Sequence, residues 1–240
     1  MNENSPPAFE YDSIATGYYD EIFKRRRGVQ SRWHHDKFAR IREELQPGSL
    51  LDIGCGPGTF IGTLDPEVEA TGVDISEQQI RYAEAHNGGG ARGYVVCGEP
   101  PIDLPDARYD NVTLIELVEH LTFDHSVVLL KEARRLLKPD GRLLVSTPDY
   151  ASLWPYLEAL VNRLGDVSYE DQHITHFDKP MLQRLLDEAG FAVDWVENYQ
   201  FLAPFTAALG WGSADLANRL EPRWLVRTGG FLLLARAHPK

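Results

Sequence analysis

The 240 residues predict an α/β fold: a doubly wound, mostly parallel seven-stranded sheet with helices on both faces. Three observations carry this reading. From Ser49 onward, short apolar runs alternate with helical patterns. A glycine turn, Gly54-Cys55-Gly56-Pro57-Gly58, leads from the first run into a helix. A carboxylate, Asp74, closes the second run.

The elements follow in order. Residues 1–10 read as a loose tail. Residues 11–46 read as helical, with Tyr11 to Phe23, a basic run, and Trp33 to Leu45 at helical spacing, ended by Pro47-Gly48. Ser49 to Ile53 is a first strand, and Thr59 to Leu64 opens a helix. Ala70 to Asp74 is a second strand. Ser76 suits the cap of a helix from Glu77 to about His86. Gly93 to Cys97 and Tyr109 to Ile115 are the third and fourth strands. Ser126 to Leu137 is a periodic helix, Pro139-Asp140-Gly141 a turn, and Arg142 to Thr147 a fifth strand. A long region, 148–178, precedes a helix from Lys179 to Ala189 and a sixth strand from Phe191 to Asn198. Residues 199–228 are irregular or helical, and Gly230 to Ala237 is the last strand. No crossover helix is evident between the last two strands, which suits an antiparallel pair.

Composition bounds the function. At 43% hydrophobic and 25% charged, the chain can bury a core without staples. The two cysteines, Cys55 and Cys97, form no CxxC pair and suit a reducing compartment. The first residues lack the basic and apolar parts of a secretory signal, and no run reaches the ~20 apolar residues of a membrane span. The expectation is a cytoplasmic protein. A net charge of −12 disfavours nucleic acid as a partner.

The glycine turn lies where open α/β sheets bind ligands, at the carboxyl ends of the strands. A dinucleotide site would show G-x-G-x-x-G; here the spacing is G-x-G-x-G, with Pro57 inside. Asp52, one residue before the end of the first strand, would repel a pyrophosphate and suits a ligand carrying an ammonium group. Asp74 can accept both hydroxyls of a ribose. Together these favour the amino-acid end of S-adenosylmethionine (SAM) over a nicotinamide dinucleotide and its oxidoreductase chemistry.

Four stretches, LLDIGCGPGTF, TGVDIS, YDNVTLIELVEHL and LLKPDGRLLVSTPD, resemble the successive motifs of class I SAM-dependent methyltransferases over about residues 48–150. The resemblance continues more loosely to the C-terminus. Within the superfamily the chain is similar to the ubiquinone-biosynthesis O-methyltransferases and related small-molecule or glycan enzymes. The resemblance implies a Rossmann-like sheet with an antiparallel C-terminal strand. An N-terminal helical lid would span 1–46. The catalytic domain would span 47–240, with acceptor-site insertions at about 148–180 and 199–228. Gly54, Cys55, Gly56 and Gly58 would line the methionine and ribose portions of SAM, Asp52 and Glu116 the methionine end, and Asp74 the ribose. Ile75 would pack on the adenine, with Gly98 and Glu99 at its amino group. Tyr11, Tyr18 and Tyr19 match the N-terminal aromatics that close over SAM; helix packing explains these tyrosines equally well.

Methyl transfer to a hydroxyl needs a base or a metal. Candidates fall in Glu116-Leu117-Val118-Glu119-His120 and in His173-Ile174-Thr175-His176. His173, His176 and His120 are the candidate bases. Glu116, Glu119, His120 and His176 have residue types that suit a divalent cation, as in relatives with an E-x-x-E-H run, including the small-RNA 3′-end 2′-O-methyltransferases. The same run also occurs in class I enzymes without metal, where it satisfies backbone groups, and the metal-free reading is preferred. The expected acceptor is a small molecule such as a sugar, a lipid-linked glycan or a quinone precursor. An RNA 2′-O-methyltransferase is the alternative, opposed by the acidic charge. SAM binding without catalysis is a further reading.

Lys24-Arg25-Arg26-Arg27 is a basic run in an acidic chain, either a solvated helix face or a docking point for an anion such as a lipid headgroup. Trp154, Tyr156, Phe201, Phe205, Trp211 and Trp224 suit an acceptor-pocket wall, a core, or a surface meeting a membrane or second subunit.

Overall fold

A computed structural model describes residues 15–164 and 172–240. Two helices, α1 (Tyr18–Arg25) and α2 (Gly28–Arg42), precede β1 (Leu50–Ile53). Then come α3 (Thr59–Gly62), β2 (Ala70–Asp74), α4 (Glu77–Asn87), β3 (Arg92–Val96) and β4 (Tyr109–Ile115). After a 3-10 turn at Val118–His120 the chain forms α5 (Phe123–Leu136), β5 (Leu137–Pro148), α6 (Trp154–Leu164), α7 (Lys179–Glu188) and β6 (Phe191–Tyr199). A 3-10 segment, Ala203–Leu209, leads to α8 (Trp211–Leu220), α9 (Arg223–Gly229) and β7 (Leu232–Pro239).

The caps are side chains that accept otherwise unpaired amides at the helix starts. The Ser76 side chain accepts from the Gln79 amide, Thr122 from His125, and Asp178 from Met181. The seven strands run in the order β3-β2-β1-β4-β5-β7-β6. Among the described strands β7 runs opposite to the other six, slotted between β5 and β6 and antiparallel to both. It can sit there because the chain returns through α8 and α9 rather than through a parallel crossover.

Both faces of the sheet are covered, so the central strands are apolar at every step rather than at alternate ones. Leu51, Leu143 and Leu233 join the core cluster that includes Leu130, Leu136, Leu182 and Leu185 of α5 and α7. Their chain neighbours Leu50, Leu144 and Leu232 turn to the opposite face, with Phe38 and Ile41 of α2, Phe60 of α3 and Ile80 of α4. The region expected as a lid is therefore built into the second core cluster. Asp20 anchors α1 by accepting from the Tyr82 hydroxyl at 3.0 Å and the Asn87 amide at 3.1 Å, with Lys24 paired to it at 2.6 Å. Tyr11 lies outside the described residues.

Two expectations need correction. The Pro139-Asp140-Gly141 turn does not precede the fifth strand but lies within β5. Pairing jumps from Tyr109 with Leu137 to Asn111 with Arg142, so the extra residues loop out as a bulge. The long region after β5, to which the sequence assigns no element, contains a helix, α6. Among the described residues, no helix is long and apolar enough to cross a membrane.

Phe191 is fully buried at the start of β6. Phe191→Ala is expected to cost about 3–5 kcal/mol of stability, the loss for a buried aromatic. Urea denaturation measures it. A cost below about 1 kcal/mol would show that the outer strand is not part of the cooperative core.

Candidate active site

The carboxyl ends of β1, β2 and β4 open into a cavity of about 280 Å³ that α2 covers from above. Parallel pairing aligns these strand ends, setting Asp52 beside Gly72 on one side and Thr113 on the other. The glycine turn is tied to β2 by the Gly54 and Cys55 amides, which both donate to the Val73 carbonyl, at 2.8 and 3.0 Å. Gly58 has φ +71°, and a side chain there would meet the Tyr94 ring at 2.6 Å. Gly56 has φ +51°, yet a Cβ there would meet nothing within 4 Å. Its backbone lines the cavity, so a ligand can approach it closely.

The turn's own amide answers the pyrophosphate question. Gly56 N–H donates to Asp74 Oδ2 at 2.8 Å, and Ser76 N–H donates to Oδ1 at 2.9 Å. The anion that this turn binds is thus the protein's own carboxylate. The remaining lone pairs of Asp74 suit hydroxyl donors. Exposed Ile75 and Gly98 flank this end, Gly98 within van der Waals reach of Ile75, beside exposed Glu99. Together they form an apolar shelf with a carboxylate at its edge.

Asp52 lies deeper and is almost fully buried. Its Oδ1 accepts from the Thr113 hydroxyl at 2.6 Å. Burial, with the negative Asp74 nearby, pushes its carboxyl up to about 7 despite that hydrogen bond. Glu116 follows β4 with φ +52°, a left-handed conformation uncommon outside glycine. Its Oε2 accepts from Lys37 Nζ of α2 at 2.6 Å, while Oε1 is buried without a partner. No sequence motif marks Lys37, because its partner Glu116 lies 79 positions away along the chain.

The far end of the cavity gathers Glu119, His120 and His173, whose ligand-capable atoms lie within 4.8 Å of one another. Glu119 is buried. Its Oε2 accepts from the Thr147 hydroxyl, its Oε1 has no partner, and burial pushes the carboxyl up to about 7. His120 Nδ1 lies 2.9 Å from the Gln172 carbonyl, so it carries the proton, and burial holds the ring down to about 4, hence neutral. His173 Nδ1 lies 2.5 Å from Glu158 Oε1 and 2.7 Å from the Tyr150 hydroxyl. That carboxylate orients the ring. Trp33, Trp154, Leu157 and Phe205 wall this end.

The candidates divide accordingly. Asp52, Gly54, Cys55, Gly56, Asp74, Glu116, Glu119, His120, His173 and Tyr19 line one cavity. Gly58 supports the turn from behind. Glu116 is turned towards Lys37, so the acidic cluster with two histidines is Glu119, His120 and His173. His176 is not in it: exposed, it stacks on Tyr150 at 3.9 Å and lines a neighbouring polar pocket. Glu158 and Tyr150 belong to the site without any sequence motif announcing them.

The chain matches the family model described as "Methyltransferase domain" over residues 24–195. It is 31% identical over 102 residues to a ubiquinone biosynthesis O-methyltransferase of Idiomarina loihiensis, 41% of each chain. It is 27% identical over 204 residues to a ubiquinone/menaquinone biosynthesis C-methyltransferase of Paraburkholderia xenovorans, 75% of this chain and 81% of that one. An uncharacterized 37.1 kDa transposon protein of Streptomyces fradiae is 33% identical over 163 residues, 64% of this chain and 46% of the other. The chain thus spans less than half the length of two of these three relatives. In fold it superposes on a SAM-dependent methyltransferase from Thermotoga maritima with a TM-score of 0.68 at 20% identity, covering 93% of this chain and 95% of that one.

The raised Asp52 has a consequence for stability. Its ordinary value is 3.8 and its folded value about 7, so between these pH values the folded protein holds a proton that the unfolded chain has lost. Stability contributed by this group therefore falls as pH rises through that window. Asp52→Asn lacks the effect. Relative to the parent it is expected to gain about 2–3 kcal/mol between pH 5 and pH 8, read from urea melts of both proteins. A difference constant with pH would show that Asp52 titrates normally.

Proposed function

The chain belongs to the class I SAM-dependent methyltransferases, and on that footing we propose that it transfers a methyl group from SAM to a hydroxyl of an apolar small molecule, a quinone precursor rather than a sugar. The observation that carries this reading is the continuity of one cavity, with Gly56 and Asp74 at one end and His173, backed by Glu158, at the other. Three features fit SAM in the inner part. Gly56 presents bare backbone, Glu116 Oε1 is a buried acceptor without a partner, and Asp52 is a buried acid poised to ionise beside a cation. Asp74 would hold the ribose hydroxyls, Asp52 and Glu116 the ammonium group, and Lys37 the carboxylate. When bound, SAM supplies a methyl on a sulfonium, a good leaving group.

The protein's part is position and proton removal. Trp33, Trp154 and Phe205 form apolar walls suited to a flat acceptor. Glu158 fixes the Nδ1–H form of His173, leaving Nε2 to take the acceptor's hydroxyl proton as the O–CH3 bond forms. His120, held neutral, and Glu119 complete the polar edge. The relatives include both O- and C-methyltransferases; the Glu158–His173 pair is what favours oxygen. A second reading has specific support. Glu119 with an unpartnered buried oxygen, and two imidazoles each oriented through Nδ1, make a donor set that fits a divalent cation. Such an ion would acidify the hydroxyl in place of the base.

Calorimetry is expected to show binding of SAM and none of NAD. Asp74→Ala should weaken SAM by about a hundredfold, the loss of two hydrogen bonds to a charged group. Tight NAD binding, or undiminished SAM binding by the variant, overturns the assignment of this end.

Labelled methyl transfer to catechols and hydroxybenzoates tests the other end. His173→Ala should lose turnover by about 10²–10⁴-fold while SAM affinity stays within a factor of about two. Turnover like the parent's rejects His173 as base. Loss of turnover in EDTA, restored by Mg²⁺ or Mn²⁺, would select the cation reading.

A further inference from the structure

We propose that the outer face of α8 and α9, with the arginines at the α1–α2 junction, docks the protein on an anionic lipid bilayer. The two helices expose large apolar side chains that the core does not use, Leu220 at 69%, Trp224 at 68% and Leu216 at 57%, and the 3-10 segment before them, with its N-cap, exposes Leu209 at 86% and Leu202 at 51%. Ala214 marks the buried side of α8, and Leu216, Arg219 and Leu220 fall on the opposite side at helical spacing. Scattered exposed leucines need no explanation, but a run of them with a tryptophan on adjoining helices marks a contact surface.

Charge selects the occupant. The protein carries a net −12, yet this face is basic. Its two acids are engaged: Asp215 binds Arg32 at 2.6 Å and Glu221 accepts from the Leu202 amide at 2.7 Å. Arg219 and Arg223 have no ion-pair partner among the described residues, and both are exposed. Arg26 lies 6.0 Å from the Trp211 ring, which brings the α1–α2 junction to the start of α8. Leucines and a tryptophan ringed by arginines match an interface of acyl chains beneath anionic headgroups. In a two-fold dimer through this face the same arginines would meet their own copies, which like-charge repulsion opposes. The chain-wide negative field opposes approach at long range, so binding depends on the patch facing the membrane, within a Debye length. The face is also the back of the pocket: Phe205, in the segment between Leu202 and Leu209, lines the cavity. An apolar acceptor drawn from a bilayer would enter beside it. The docking itself does not depend on the proposed chemistry.

Sedimentation with vesicles tests this, using phosphatidylcholine alone and two-to-one phosphatidylcholine and phosphatidylglycerol. The full chain is expected to bind the anionic vesicles at least about fivefold more than the neutral ones, and less as salt rises. Arg219→Glu/Arg223→Glu should bring binding down to the neutral level. Leu216→Asn/Leu220→Asn should do the same, with both variants melting at the parent's temperature. Equal or absent binding to the two vesicles overturns the proposal, as does undiminished binding by the charge variant. So does a parent dimer that Leu216→Asn/Leu220→Asn converts to monomer, because the face would then belong to a second copy.

Discussion

Asp74 holds the glycine turn by accepting the Gly56 and Ser76 amides, and the rest of the site is arranged around that clasp. One carboxylate joins the loop after β1 to the start of α4. It also fills the anion-binding position that such a turn otherwise offers a phosphate. Burial makes the clasp costly for the charged form, and three backbone hydrogen bonds offset part of that cost. The geometry exists because β1 and β2 are parallel and in register, which brings Asp52 and Asp74 to neighbouring strand ends.

The second constraint is the covering helix. α2 contributes Phe38 and Ile41 to the core and Trp33, His34 and Lys37 to the cavity. One helix therefore stabilises the fold and closes the site, so mobility there has to come from segments other than its anchored face. Burial also keeps His34 and His120 neutral, and the Glu158 carboxylate orients His173. Three imidazoles around one cavity thereby have different work to do. The unpartnered oxygens of Glu116 and Glu119 belong to the same logic. An unsatisfied buried acceptor costs about 1–3 kcal/mol, and it persists in a folded protein where a ligand repays it.

Much of this was legible in the chain itself. The alternation of strands and helices, the seven strands, the antiparallel last strand, the Ser76 cap and the placing of Gly56 and Asp74 at strand ends are local: each follows from a run of residues read in place. Short-range rules carry them because backbone sterics, side-chain period and capping act over a few residues.

What the tertiary structure decided is which distant groups meet. Lys37 reaches Glu116 across 79 positions, and Asp215 reaches Arg32 across 183. His173, not His176, joins Glu119 and His120. The two histidines are only three positions apart, and the backbone path after β5 turns one into the cavity and leaves the other exposed. The helix α6 within the long region after β5, and the bulge that draws a turn inside β5, are outcomes of the same kind. Sequence by itself determined the sheet, the glycine turn at its strand ends and the residue types available for chemistry. Partner choice among those residues was left to packing, because contacts between segments far apart in the chain depend on the whole core closing, and no local pattern records them.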